Sequence, residues 1–433
     1  MRRGSGVFGF GSKAMENRVM TDSKRRKGLI ATAALLGGVL TLGACGGGDG
    51  GDGGGQDNTK KVDEAAAKDA SEAKIKIEPK NGSADAGINS AAKVTVDGGK
   101  LTDVTMTAGE SKKPVEGTLA ADGKSWQPKK QLERSTKYTI TAHAADGDGR
   151  KAVEHSTFTT VSPKNSFIGN YTPEDGSTVG VGMPVSVNFD KPVKNKKDVQ
   201  SAIKVASSSN QEIVGHWFGD QRLDFRPKDY WKPHSKVSVD LKLDGVEAAP
   251  GVKGVQNKKV DFQIGRSQVS TVDAKTHQMT VVRDGKTIKT IPISAGSKDH
   301  PTYNGKMVIS EKYQQTRMDG STVGFTNNDG KGEYDIPDVP HAMRLSSSGT
   351  FLHGNYWGKG IFGNANTSHG CIGLEDVKGA GDPGTDGAWF YQNSLIGDVV
   401  HMINSPDKTI KPDNGLNGWN MDWNEWVAGS AVK

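Results

Sequence analysis

The chain has 433 residues, of which 57 are glycine and only 33% hydrophobic, a balance that disfavours a helical protein and suits turn-rich β domains with a flexible linker. A formal charge of +6 suggests a polyanion partner, but residues 1–44 hold eight Lys and Arg against two acids, and removing them from 56 basic and 50 acidic residues leaves 48 of each. The remainder is neutral, which excludes nucleic acid as an electrostatic partner.

Taken in chain order, Lys24-Arg25-Arg26-Lys27 followed by the apolar run Gly28 to Ala44 has the layout of a secretion signal, with Met15 and Met20 as alternative starts. The run ends in Leu42-Gly43-Ala44-Cys45, small residues before a cysteine, which resembles the lipobox of bacterial lipoproteins. That resemblance implies signal cleavage, a lipidated Cys45, and a protein exported to the outer face of the plasma membrane within the cell wall. A plain transmembrane anchor is the alternative, although 17 residues with four glycines are at the short limit for a span. Residues 46–74 then pass from Gly/Asp to Ala/Lys without apolar content and read as a tether.

From residue 75 to 265 the chain reads as duplicated. Trp126-Gln127-Pro128-Lys129 and Phe225-Arg226-Pro227-Lys228 stand 99 residues apart, and the same offset pairs Leu132 with Trp231, Tyr138 with Val237 and Ile140 with Val239. Alternating runs such as Val94-Thr95-Val96 and Val185-Ser186-Val187-Asn188-Phe189 separate turn clusters. Two Ig-like β-sandwiches are expected, over 75–163 and 164–265, with one larger β domain as the alternative.

A third, mostly-β region is expected over 266–404. Gln278 to Val282, the Asp284-Gly285 turn and Thr287 to Ile291 read as a hairpin. Met307 to Tyr313, Thr350 to His353 and Gly397 to Ile403 read as strands, and Gly387 to Leu395 as the one short helix. Tyr313 to Pro340 reads as a long loop. The tail, 405–433, carries Trp419, Trp423 and Trp426 and is expected to pack on this third region.

Of two cysteines, the lipobox claims one, so Cys371 has no disulfide partner. A solitary thiol in an exported protein invites a chemical role, with a small buried core residue as the alternative. Around it lies Asn366-Thr367-Ser368-His369-Gly370-Cys371-Ile372-Gly373, and upstream Phe351-Leu352-His353 ends a strand-like run. A resting thiol needs a base within hydrogen-bond reach, and that base needs an orienting group. His353 and His369 are the candidate bases. Glycines between His353 and Cys371 let the segment fold back, and Gly370 lets backbone N–H groups approach an oxyanion.

His353, fourteen residues, then Ser368-His369-Gly370-Cys371 and an apolar Ile372 resembles the signature of L,D-transpeptidase (YkuD-type) catalytic domains. The layout resembles actinobacterial members: lipoprotein signal, two Ig-like domains, catalytic domain, Trp-rich extension. The resemblance implies Cys371 as nucleophile, His353 as base and Gly354 as the carbonyl that orients it. It also implies N–H groups around His369, Gly370 and Cys371 as an oxyanion hole, with Ser368 and His369 shaping the site. Gly373 departs from the asparagine that the family often places two residues after the cysteine. The stretch from Tyr313 to Pro340 resembles the family's lid, making Met318 and Tyr334, with Asn366, candidate substrate contacts; an exposed loop with packing aromatics is the alternative.

The implied chemistry is attack of Cys371 on the meso-diaminopimelate carbonyl of a tetrapeptide stem, release of D-Ala, and resolution of the thioester by a neighbouring stem's amine as a 3→3 cross-link. The partners implied are donor and acceptor peptidoglycan stems, the membrane through the lipid anchor, and carbapenem β-lactams as acylating inhibitors. A cell-wall L,D-peptidase with the same Cys–His pair, or a non-catalytic surface lipoprotein, are the alternatives. No metal or cofactor is called for: the ten histidines contain no HExxH pair, and one free cysteine cannot build a thiolate zinc site.

Overall fold

The computed structural model describes residues 70–432 apart from Ser90. The leader, Cys45 and nearly all of the tether therefore lie outside the described residues. The fold is mostly strand, with three short α-helices among the described residues.

Residues 74–159 form two four-stranded antiparallel sheets face to face. In Lys137–Asp146 the alternation is complete: Tyr138, Ile140, Ala142 and Ala144 point inward, toward Val94, Val96 and Trp126. Gly117 lies under the Trp126 indole, where a Cβ would collide with the ring. Residues 166–264 repeat the scheme with two four-stranded sheets and a small third one around Val187, Leu223, Phe225, Trp231, Val239 and Phe262. The residues matched at the 99-residue offset hold equivalent places. Trp126 and Phe225 are buried on a strand of one sheet, Leu132 and Trp231 follow it, and Ile140 and Val239 are buried on the next long strand.

The third region is one nine-stranded sheet: β1 (Gln268–Asp273), β2 (Gln278–Arg283), β3 (Lys286–Ser294), β4 (Gly305–Val308), β5 (Glu311–Asp319), β6 (Asp335–Arg344), β7 (Phe351–Asn355), β8 (Ile372–Glu375) and β9 (Val399–Ile403). Their spatial order is β4-β9-β1-β2-β3-β8-β7-β6-β5. Asp284 and Gly285 both take positive φ, 48° and 78°, the tight turn that closes the β2–β3 hairpin. The run expected as one strand from Met307 to Tyr313 is instead two strands, β4 and β5, on opposite edges of the sheet. Only Ile309 and Ser310 separate them, and two residues span less than about 10 Å. The sheet is therefore rolled until its edges meet, with Ile309 N–H donating to Asp398 and Ser310 N–H to Arg344.

Helix α1 (Asp386–Asn393) begins at Thr385, whose side-chain oxygen accepts the Ala388 N–H at 3.2 Å, and ends where Ser394 turns extended. It runs one residue earlier and stops two earlier than expected, and Phe390 joins the sheet core.

The tail differs from expectation in its partner. Trp419 Nε1 donates to Gly182 O at 2.6 Å and Trp426 Nε1 to Val214 O at 2.9 Å, both in the second sandwich. The Arg226 guanidinium lies 4.7, 5.5 and 4.2 Å from the ring centres of Trp419, Trp423 and Trp426. Asn417 and Asn420 face the other way and bond the backbone of Val308 and Lys306 in β4. The tryptophans thus anchor in the second sandwich, the asparagines reach the rolled sheet, and the tail joins the two. Arg266, just after the second sandwich, forms a bidentate pair with Asp398 at 2.8 Å.

Candidate active site

β7 and β8 run parallel with Leu352 opposite Ile372 and His353 opposite Gly373. Successive side chains alternate, so Leu352, Ile372 and Leu374 enter the core while His353, Asn355 and Cys371 share the opposite face. That face opens on a cavity of about 370 Å³ containing both His353 and Cys371. The strand pairing, rather than the glycine-rich connection, brings base and thiol together.

His353 is buried, and its Nδ1 lies 2.8 Å from the carbonyl oxygen of Gly354. A carbonyl only accepts, so Nδ1 carries the proton and Nε2 is the free basic nitrogen. Burial lowers the His353 pKa below its ordinary 6.5, with the Gly354 carbonyl and the Asp376 charge acting in the opposite direction. Trp357 stacks on the imidazole at 5.8 Å. Cys371 is buried beside Ala342, Phe351 and Met318, and its thiol is directed to Gly349 O at 3.7 Å. Burial pushes this thiol up to about 11, against a backbone hydrogen bond with Phe351 that lowers it. The resting pair is a neutral thiol and a neutral imidazole.

The turn before the thiol is braced by Ser368. Its hydroxyl donates to Cys371 O at 2.6 Å and accepts the Gly370 N–H at 3.2 Å. Gly370 sits at φ +102°, open to glycine but strained for other residues. One of the three N–H groups expected at the oxyanion is therefore engaged by Ser368 in this state.

Two family models match the chain: a bacterial Ig domain over residues 83–247, running from the first sandwich into the second, and the L,D-transpeptidase catalytic domain over residues 267–402. L,D-transpeptidase 2 of Mycobacterium tuberculosis (strain CDC 1551 / Oshkosh) is 33% identical over 344 residues, which covers 79% of this chain and 81% of that protein. The chain belongs to the L,D-transpeptidase family. L,D-transpeptidase 5 of Mycobacterium tuberculosis (strain ATCC 25618 / H37Rv) is 30% identical over 76% of this chain and 70% of its own length. Among solved structures, LD transpeptidase LdtMt1 in complex with imipenem is similar at 29% identity, 54% of this chain, 97% of that chain and a TM-score of 0.45.

In this L,D-transpeptidase the segment expected as a lid is part strand and part loop. Tyr313 to Asp319 and Asp335 to Pro340 are the arms of the β5–β6 hairpin, with Met318 paired to Ile336, and 320–334 forms its long tip. Met318, Tyr334 and Ile336 line the cavity of Cys371. Asn366 does not reach it: its Oδ1 accepts the Ala295 N–H at 2.9 Å and its Nδ2 donates to Ala274 O at 2.8 Å. Both amide functions hold the nucleophile loop to the sheet, which corrects the expected substrate contact. Ser368 and His369 line the cavity, while Gly354 and Gly370 act through their backbone.

Sequence reading missed Asn355, Trp357, Ile361 and Thr367, which also line the cavity, and the buried Asp376. Asp376 accepts from His341 Nδ1 at 2.8 Å, from Val377 N at 2.8 Å and from the Thr385 hydroxyl at 3.0 Å. A Cβ on Gly354 would collide with this carboxylate. Gly354 is thus matched to an acid behind it. No local pattern marks these residues, since each acquires its place only when the sheet rolls.

Proposed function

We propose that this L,D-transpeptidase forms 3→3 cross-links between meso-diaminopimelate residues of peptidoglycan stems, as an exported protein anchored by lipid at Cys45. The observation that carries the reading is the His353 imidazole, held as the Nδ1–H tautomer by Gly354 O and sharing one cavity with the Cys371 thiol. Nε2 takes the thiol proton as Sγ adds to the donor carbonyl, and the tetrahedral oxyanion is met by backbone N–H groups of the nucleophile turn. The imidazolium returns its proton to the departing D-Ala amine, leaving a thioester on Cys371. The side-chain amine of an acceptor stem then attacks, with Nε2 taking its proton and the thiol re-forming.

The test is intact mass of full-length protein after incubation with a carbapenem, beside Cys371→Ala, followed by product analysis on a purified tetrapeptide stem. A wild-type-only adduct, release of D-Ala and a dimeric stem support the reading. Release of D-Ala with only hydrolysed tripeptide would identify an L,D-peptidase using the same pair, and no adduct on folded protein would remove the catalytic reading. Export and lipidation rest on the Leu42-to-Cys45 motif, and loss of membrane association in Cys45→Ala tests them.

A further inference from the structure

Three loops meet at His369, at the edge of the cavity. His300 lies between β3 and β4, Glu333 at the tip of the lid hairpin, and His369 in the nucleophile turn. The Glu333 carboxylate stands 3.2 Å from His369 Nε2 and 3.7 Å from His300 Nε2, and the three donor atoms all lie within 4.8 Å of one another. The imidazoles stack at 4.9 Å, and Phe325 and Tyr334 of the lid pack on His369. Among the described residues no Lys or Arg forms an ion pair with Glu333, whose carboxylate is met by these two imidazoles.

We propose that His300, Glu333 and His369 form a binding site for a divalent transition-metal ion of the zinc class, which clips the lid to the nucleophile turn. Two imidazole nitrogens and one carboxylate oxygen are a donor set that zinc accepts, leaving a fourth position for water or an anionic group of the substrate. Tetrahedral zinc with bonds of about 2.0–2.1 Å sets its ligand atoms roughly 3.3 Å apart. The two distances to Glu333 already lie near that value, and the remaining one, no more than 4.8 Å, would close by rotation of the two partly exposed histidines. Because the three ligands belong to separate loops, bound metal fixes the lid tip relative to Cys371. This site uses neither the thiol nor His353, so it stands independently of the proposed cross-linking reaction.

The experiment is calorimetric titration of zinc chloride into full-length protein carrying Cys45→Ala and Cys371→Ala, which removes both thiols as ligands. One equivalent should bind, and His300→Ala and Glu333→Gln, checked for unaltered thermal unfolding, should each weaken binding about tenfold or more. Zinc should also slow hydrogen exchange across residues 324–334 in the parent and not in Glu333→Gln. Absence of binding at millimolar zinc, or equal binding by parent and both variants, overturns the site. Binding seen only when Cys371 is restored in the Cys45→Ala background, and unaffected there by His300→Ala, would place the metal on the thiol instead and overturn it as well.

Discussion

If burial keeps Cys371 neutral, its reactivity must follow the base rather than a preformed thiolate. With the thiol pushed up to about 11, the thiolate fraction at pH 7 is on the order of 10⁻⁴. An ordinary thiol of pKa about 8.5 is about 3% ionised there, roughly 300-fold more. Iodoacetamide alkylation of Cys371, followed by intact mass in a Cys45→Ala background, should therefore climb about tenfold per pH unit from 7 to 10 without a plateau. His353→Ala should leave that slope in place, because iodoacetamide takes the thiolate from bulk equilibrium. The same substitution should slow carbapenem acylation by about 10²–10⁴, the span of a lost general base. The acid limb of wild-type acylation should fall below pH 6.5, because burial lowers the His353 pKa and Nε2 protonates only at more acidic pH. An alkylation plateau below pH 8 that disappears in His353→Ala would mean a thiolate–imidazolium pair and refute the reasoning.

Four further outcomes follow from the geometry. Gly370→Ala forces a side chain onto φ +102° and should cost about 1–3 kcal/mol in chemical denaturation, with acylation slowed because the Cys371 turn shifts. Gly354→Ser drives a Cβ into Asp376 and should destabilise by about 1–3 kcal/mol, and pairing it with Asp376→Ala in a double-mutant cycle should recover part of that loss. Asp376→Asn removes a charge that raises the His353 pKa, so the acid limb of the acylation profile should move to lower pH without a change in the iodoacetamide slope. Trp426→Ala empties a fully buried site against the second sandwich and should cost about 3–5 kcal/mol, read as a lower Tm.

The sandwiches were legible because period-two burial and turn residues are local signals, and because the 99-residue offset falls on buried core side chains, Trp126 with Phe225 and Leu132 with Trp231. Cys371 and His353 were legible for another reason: the chemistry needs these two residue types at fixed places on neighbouring strands. What escaped depends on closure of the sheet. Nothing local separates β4 from β5, since Met307 to Tyr313 carries enough strand-forming residues to read as one run, and only the hydrogen bonds of Ile309 and Ser310 break it. Asn366 was misread because a polar residue near a nucleophile looks available, whereas its amide satisfies two backbone groups that would otherwise lack partners. The tail tryptophans were assigned to the wrong neighbour because the signal was composition alone, and composition does not say which surface offers Arg226 and the free carbonyls of Gly182 and Val214.

The strand register sets what Gly373 faces. His353 pairs with Gly373, so Gly373, His353 and Asn355 present the same face, and a Cβ at Gly373 would lie 3.4 Å from Asn355 Nδ2 and 3.5 Å from its Cβ. An asparagine at 373 would therefore start at ordinary contact distance from the Asn355 carboxamide and extend beside it. Asn355 lines the cavity, and its Oδ1 accepts the Trp357 N–H at 3.0 Å, which leaves the amide N–H₂ as a donor in the cavity it shares with Cys371. One neutral hydrogen bond contributes about 0.5–1.5 kcal/mol, a rate change of up to about tenfold. Asn355→Gly should slow acylation by about that factor, and Asn355→Gly with Gly373→Asn should recover most of it, because the carboxamide returns to nearly the same place from the adjacent strand. Second-order acylation rates for the wild type, both single variants and the exchange decide the matter. If the exchange is no faster than Asn355→Gly, the carboxamide does not act on the reaction from this position and Asn355 serves only to hold the Trp357 loop.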